Sequence, residues 1–141
     1  KFAVRGLSEA LRLSLYHHNI GVSVFCHGLI NSAIYESEKM RPEALPSPEN
    51  TERNRLFMDR LPEIHRFGMD PDEVGEKVLA GIRANDLYIF SHPEFRDELR
   101  ELFDRALAAV PEGEVPPRRL AFEQGRRAGL DKDRKGADAI G

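Results

Sequence analysis

The side chains able to bind or react fall into four groups. Lys1 stands at the head of a helical pattern, where an isolated lysine is ordinarily just a solvated charge. Gly28-Leu29-Ile30-Asn31-Ser32 follows a short apolar run. A glycine-containing turn at the carboxyl end of a buried parallel strand is where ligands bind in open α/β sheets; the plainer reading is a turn into a loop. His17-His18 and Cys26-His27 carry metal-ligating atoms. Adjacent helical residues point in different directions, however, and no second cysteine or carboxylate cluster completes a tetrahedral set, so no metal site is expected. Arg118, Arg119, Arg126 and Arg127 could meet a phosphate, but neighbouring acids make a solvated basic helix face the simpler reading.

These groups need elements to hold them. From Lys1 to His18, apolar or small residues recur at Ala3, Leu7, Ala10, Leu11 and Leu15, a helical spacing. Arg5, Glu9 and Arg12 fall mainly on other faces. Phe2, Leu13 and Tyr16 widen the apolar surface, and a helix apolar on more than one side is ordinarily covered on two. Asn19-Ile20-Gly21 ends the helix, since Asn and Gly tolerate the left-handed conformation common there. Val22-Ser23-Val24-Phe25-Cys26 is short, β-rich and nearly continuously apolar, as a buried parallel strand is. Helix, tight turn and buried strand form the second half of a βαβ crossover. The expected fold class is therefore α/β, with helices on the faces of a parallel sheet.

Pro42, Pro46, Pro48 and Pro62 break up the next stretch. One short helix is expected from Pro48 to Leu61, burying Leu56, Phe57 and Leu61. Met69 to Ala84 has the clearest helical signal. Asp70 can cap it, Pro71 suits the first helical position, and Glu73 completes a capping box. Its expected buried stripe is Val74, Val78, Leu79 and Ile82. Asn85-Asp86 is a turn and Leu87-Tyr88-Ile89-Phe90 a second apolar strand. Ser91 and Glu94 predict another capping box, with a helix from Pro93 to about Val110 carrying Phe95, Leu99, Leu102, Phe103, Ala106 and Leu107. Residues 111–141 read as an extension, with a short helix around Arg118 to Arg127 and disorder from Gly129 onward, where little is apolar.

Composition narrows the function classes. The chain has 141 residues, room for one domain of ordinary size. A formal net charge of −3 argues against a general nucleic-acid-binding surface. No apolar run approaches the roughly 18–20 residues of a membrane span, and no signal peptide is evident. The single cysteine, Cys26, cannot form an intrachain disulfide. A soluble, cytoplasmic protein is the expectation. Two strands cannot shield three long helices, and the chain enters its first helix at Lys1 without a cap. It therefore reads as a piece of something longer.

The run Lys1-Phe2-Ala3-Val4-Arg5-Gly6-Leu7-Ser8-Glu9-Ala10-Leu11-Arg12 resembles the helix that follows the Tyr-x-x-x-Lys motif of the short-chain dehydrogenase/reductase superfamily. On this alignment Lys1 is the motif lysine, and its tyrosine lies four residues upstream. Gly21 to Cys26 is similar to the family's next strand, and His27-Gly28-Leu29-Ile30-Asn31-Ser32 to its Pro-Gly-x-Val-x-Thr segment. Asp70 to Ala84 and Leu87 to Phe90 fit its last helix and strand. The likeness covers roughly residues 1–110, in order, and is specific as a whole rather than in any one motif. It departs at His27, which replaces proline, and at Ser32, which keeps the hydroxyl of threonine.

The resemblance implies the carboxy-terminal part of a Rossmann-type doubly wound sheet, with the amino-terminal half missing. It implies an oxidoreductase that moves a hydride between NAD or NADP and a carbonyl or alcohol. A phenol near pKa 10 is a poor base at neutral pH, and a lysine ammonium one helical turn away lowers that pKa. Lys1 would play this part and hydrogen-bond the nicotinamide ribose; the backbone of Ile30, beside Gly28, would pair with the carboxamide, and Ser32 would add a hydroxyl contact. Residues 33–68 would cover the substrate, with Ile34 and Tyr35 beside it and Met40, Leu56, Phe57 and Met58 as further apolar lining. For Leu56 and Phe57 the favoured reading is that they pack the loop's own small core. A lipophilic substrate and a homo-oligomer, dimer or tetramer, are expected of the intact protein; these residues alone are expected to be inactive. The alternative is a non-catalytic binding or structural module derived from a truncated member of the family.

Overall fold

A computed structural model describes residues 2–42, 44 and 52–140. Helix α1 (Phe2–Leu15) runs through a 3-10 turn (Tyr16–His18) into strand β1 (Val24–Cys26). A second 3-10 turn (Ile34–Met40) and α2 (Glu52–His65) precede α3 (Pro71–Arg83), strand β2 (Tyr88–Phe90), α4 (Phe95–Ala108) and α5 (Pro117–Asp138). The strands pair in parallel, with Val24 opposite Tyr88, Phe25 opposite Ile89 and Cys26 opposite Phe90. This is the expected α/β arrangement. Among the described residues no helix is long and apolar enough to cross a membrane.

Local chemistry explains the joints. Asn19 and Asn85, the residues ending the α1 and α3 segments, both adopt positive φ, 57° and 55°. Asp70 caps α3 by accepting from the N–H groups of Asp72 and Glu73. Glu73 does not close a box with it but pairs with Lys77 at 2.7 Å. The core is small: Val24, Val74 and Ile89 are its buried aliphatics, joined by Ala137. Helix α3 reaches β2 through Gly81, where an added Cβ would lie 2.6 Å from Ile89 Cγ1. The inward positions of α3 are thus Val74, Lys77, Val78 and Gly81, while Leu79 and Ile82 are exposed, against expectation.

The orientation of α1 is the largest correction. Its inward side carries Arg5, Ser8, Glu9, Arg12 and Leu13, again a helical spacing, and Leu7 and Leu11 of the expected inner stripe are exposed with Phe2 and Val4. Arg12 selects this face. Its guanidinium donates to Val22 O (2.9 Å), Asn85 Oδ1 (3.2 Å), Asn85 O (2.8 Å) and Asp138 (2.8 Å), tying both chain turns to α5.

Helix α5 continues through residues 129–138, where composition predicts disorder. In this last part Leu130, Asp133, Gly136 and Ala137 are the least exposed positions, on one helical face, and Ile140 follows just past the helix end. Small residues let it approach: a Cβ on Gly136 would lie 2.6 Å from the Tyr16 ring, whose hydroxyl donates to Asp133. Docking on α1 supplies the burial that composition alone withholds, and α5 covers part of the second apolar surface of α1. Two other expectations fail. Leu56 and Phe57 are exposed on α2, which packs on the Ile34–Met40 turn, and the Pro48 start expected for that helix lies outside the described residues. Helix α4 begins at Phe95 with no side-chain cap, because the Ser91 hydroxyl is engaged elsewhere.

Candidate active site

Parallel pairing brings the carboxyl ends of β1 and β2 to one edge, so His27 to Ser32 and Ser91-His92 leave the sheet side by side. The two segments are locked together. The Gly28 N–H donates to His92 Nδ1 at 3.1 Å, and His92 Nε2 bonds the Leu29 carbonyl at 2.8 Å. A carbonyl can only accept, so Nε2 carries the proton and Nδ1 is the acceptor. The Ser91 hydroxyl, 2.6 Å away, shares that acceptor as a donor. The imidazole is buried, 5% exposed. It occupies the room a side chain on Gly28 would take: a Cβ there would lie 2.7 Å from the ring and 2.8 Å from Phe95.

Residues 29–31 form a short bridge with Met69. The Met69 N–H donates to Leu29 O and the Asn31 N–H to Met69 O, each at 2.9 Å. In a parallel bridge of this kind the N–H and C=O of the middle residue, Ile30, point to the other side. Gly68 permits the approach, since a Cβ there would lie 2.4 Å from the Ile30 carbonyl carbon. The Ile30 carbonyl accepts from His65 Nδ1 at 2.9 Å, and the Tyr35 ring lies 5.4 Å from the His65 ring.

Of the expected site residues, Gly28, Ile30 and Tyr35 thus belong to one cluster, joined through His92 and His65. Ser32 lies half-buried at the end of the same loop. Ile34 stands two-thirds exposed, outside the cluster. Lys1 lies outside the described residues; α1 begins at its neighbour Phe2. Sequence reasoning missed His65, Ser91 and His92. For His92 a signal existed, a Ser-His-Pro run directly after a parallel strand, but the serine suggested a helix cap.

Electrostatics away from this edge is structural. The Tyr88 hydroxyl and Arg5 both bond Glu9, and these bonds hold its carboxyl below the usual range. Burial, then the Glu9 contact, pushes the Tyr88 phenol up. Burial also raises the Cys26 thiol, with Arg5 opposing, which disfavours the nucleophilic thiolate. A cavity of about 500 Å³ lined by Glu9, Arg12, Tyr88, Arg134 and Asp138 opens where β2 begins, not at the carboxyl edge. Among the described residues no group of three or more His, Cys, Asp or Glu side chains could hold a metal ion.

No family model matches the chain. It is 32% identical over 117 residues to a Cα-dehydrogenase from Sphingobium sp., which covers 83% of this chain and 38% of that protein. It is 25% identical over 119 residues to a CLA biosynthesis dehydrogenase/reductase from Lactiplantibacillus plantarum, covering 80% and 41%. Among solved structures, a candidate short-chain dehydrogenase from Novosphingobium aromaticivorans is 35% identical, with a TM-score of 0.67, over 96% of this chain and 39% of the other. The chain therefore spans about two fifths of the length of the relatives it matches. Sequence and backbone agree, and the chain belongs to the short-chain dehydrogenase/reductase superfamily.

Proposed function

We propose that the chain is the carboxy-terminal part of an NAD- or NADP-dependent oxidoreductase acting on a carbonyl or alcohol, and that its loop from Gly28 to Ser32 holds the nicotinamide end of the cofactor. The observation that carries this reading is the loop's backbone. Ile30 turns its N–H and C=O away from Met69, and its carbonyl, bonded once by His65, keeps a second lone pair. One donor and one acceptor side by side match a carboxamide, whose carbonyl accepts and whose NH2 donates.

When bound, the nicotinamide supplies the site that gives or takes the hydride. The chain's own residues orient it and manage charge. Gly28 lets the loop lie flat against His92, and the Ser32 hydroxyl adds a polar contact. Lys1, one helical turn after the tyrosine that the family resemblance places upstream, holds a positive charge that lowers the phenol's pKa and donates to ribose hydroxyls. Tyr35, its ring against His65, is linked through that histidine to the Ile30 carbonyl. Ile34 and the exposed apolar residues of α2 would close over a lipophilic substrate.

Incubating the full-length protein with NAD+ or NADP+ and a panel of lipophilic secondary alcohols tests the reading. Reduced cofactor should accumulate with one of the two, and these 141 residues alone should produce none. No turnover by the full-length protein in either direction would favour a binding module instead. The exposed α1 stripe of Phe2, Val4, Leu7 and Leu11 supports a dimer or tetramer of the intact protein. Sedimentation as one monomeric species would contradict that.

A further inference from the structure

We propose that His92 is a positioning residue that sets the backbone of the Gly28-Leu29-Ile30 loop, and so tunes affinity for the nicotinamide cofactor; this rests on the reading of that loop given above. Gly28 and His92, 64 residues apart, act as one device. The bare Cα of Gly28 makes room for the imidazole, and the imidazole fastens the loop on both sides of one peptide unit. Its Nδ1 accepts from the Gly28 N–H, and its Nε2–H donates to the Leu29 carbonyl.

The ring is itself held. The Ser91 hydroxyl bonds Nδ1, and Lys77 of α3 donates to the Ser91 carbonyl at 3.3 Å. The Phe95 ring packs 5.9 Å from the imidazole. With Leu29 fixed by both His92 and Met69, Ile30 has little freedom about the preceding peptide, and its outward N–H is aimed before any ligand arrives. Loss of the imidazole would leave Met69 as the anchor of Leu29, and the loop would have to be ordered on binding. His92 touches neither substrate nor cofactor in this scheme.

The test uses the full-length protein titrated with NADH and with NADPH, comparing wild type with His92→Ala, His92→Asn and Val74→Ala. His92→Ala should weaken binding of the preferred cofactor about tenfold or more, since it removes two hydrogen bonds from the loop, and raise its KM more than it lowers kcat. His92→Asn, whose side-chain oxygen can still accept from the Gly28 N–H while the bond to the Leu29 carbonyl is lost, should recover part of the loss. Val74→Ala removes buried volume but none of the loop's hydrogen bonds, so it should lower stability and leave the affinity in place. If His92→Ala binds as tightly as wild type, the inference falls while the functional reading stands. If wild type binds neither nucleotide, the functional reading falls. Nitrogen-15 NMR of wild type adds a check that survives misfolding of any variant. The account requires the Nε2–H tautomer for His92, and a neutral ring protonated on Nδ1 would overturn it.

Discussion

Replacing Arg12 with methionine should unfasten the two chain turns from each other, because one buried guanidinium joins them. Arg12 is 4% exposed, on the side of α1 that faces the sheet. Methionine keeps much of the stem and removes every donor. The half-buried backbone carbonyls of Val22 and Asn85 would each lose a charged donor, at about 1.5–3 kcal/mol per bond. Asp138 contributes less, since its side chain is 68% exposed and its carboxylate would return to water. The two lost bonds together cost roughly 3–5 kcal/mol, a large share of a domain's marginal stability. Urea unfolding of the full-length protein would read it as a lower midpoint at unchanged slope. Arg12→Lys should recover little, because an ammonium cannot serve Val22, Asn85 and Asp138 from one planar fork. Asp138→Asn should cost less than about 1 kcal/mol, as exposed pairs do. An Arg12→Met protein within about 1 kcal/mol of wild type would refute the reasoning, because two lost bonds to a charged donor should cost more than that.

Three further outcomes follow from the packing. Gly81→Ala should lose about 1–3 kcal/mol by overpacking against Ile89, whereas Gly75→Ala, on the same helix with nothing within 4 Å, should gain about 0.5–1 kcal/mol; thermal melts of the two variants would separate them. Glu9 has its pKa lowered by the Tyr88 and Arg5 bonds, so its stabilisation is present above the ordinary value of 4.5 and is lost as pH falls through the lower folded value. Glu9→Gln should therefore flatten the acid limb of stability against pH, by under about 1 kcal/mol because the pair is exposed. Gly136→Ala should loosen α5 from Tyr16 and speed amide exchange in residues 130–138, while Gly129→Ala, in open space, should leave that exchange unchanged.

The sequence carried the order of elements well, because turns and caps are local chemistry. Asn19, Asn85, Asp70 and the two short apolar runs each announce themselves within a few residues. Which way a helix faces is not local. The apolar stripe of α1 is real, yet the side toward the sheet is chosen by Arg12, whose partners lie up to 126 positions away. Helix α5 escaped notice for a related reason. Its docking face is built largely of Gly136, Ala137 and the end of Asp133, with Leu130 and Ile140 as its few large aliphatics, so composition registers mainly its charge. At the candidate site, Gly28 and Ile30 were readable in position, because they follow a strand end. His65 and His92 were not, since their value lies in backbone groups 35 and 63 residues earlier. Ser91 satisfied a capping pattern while its hydroxyl serves the imidazole.

The central claim is that this chain carries the lysine and the loop that hold a nicotinamide nucleotide. Fluorescence titration of the full-length protein with NADH and NADPH, in wild type and in Lys1→Met, tests it most directly and needs no substrate. The account predicts saturable binding of at least one nucleotide by wild type. In Lys1→Met it predicts weakening of about tenfold or more, the loss of a charge-assisted hydrogen bond at about 1.5–3 kcal/mol. Equal affinity in the two proteins would contradict the assignment of Lys1, and no binding by wild type would contradict the account itself.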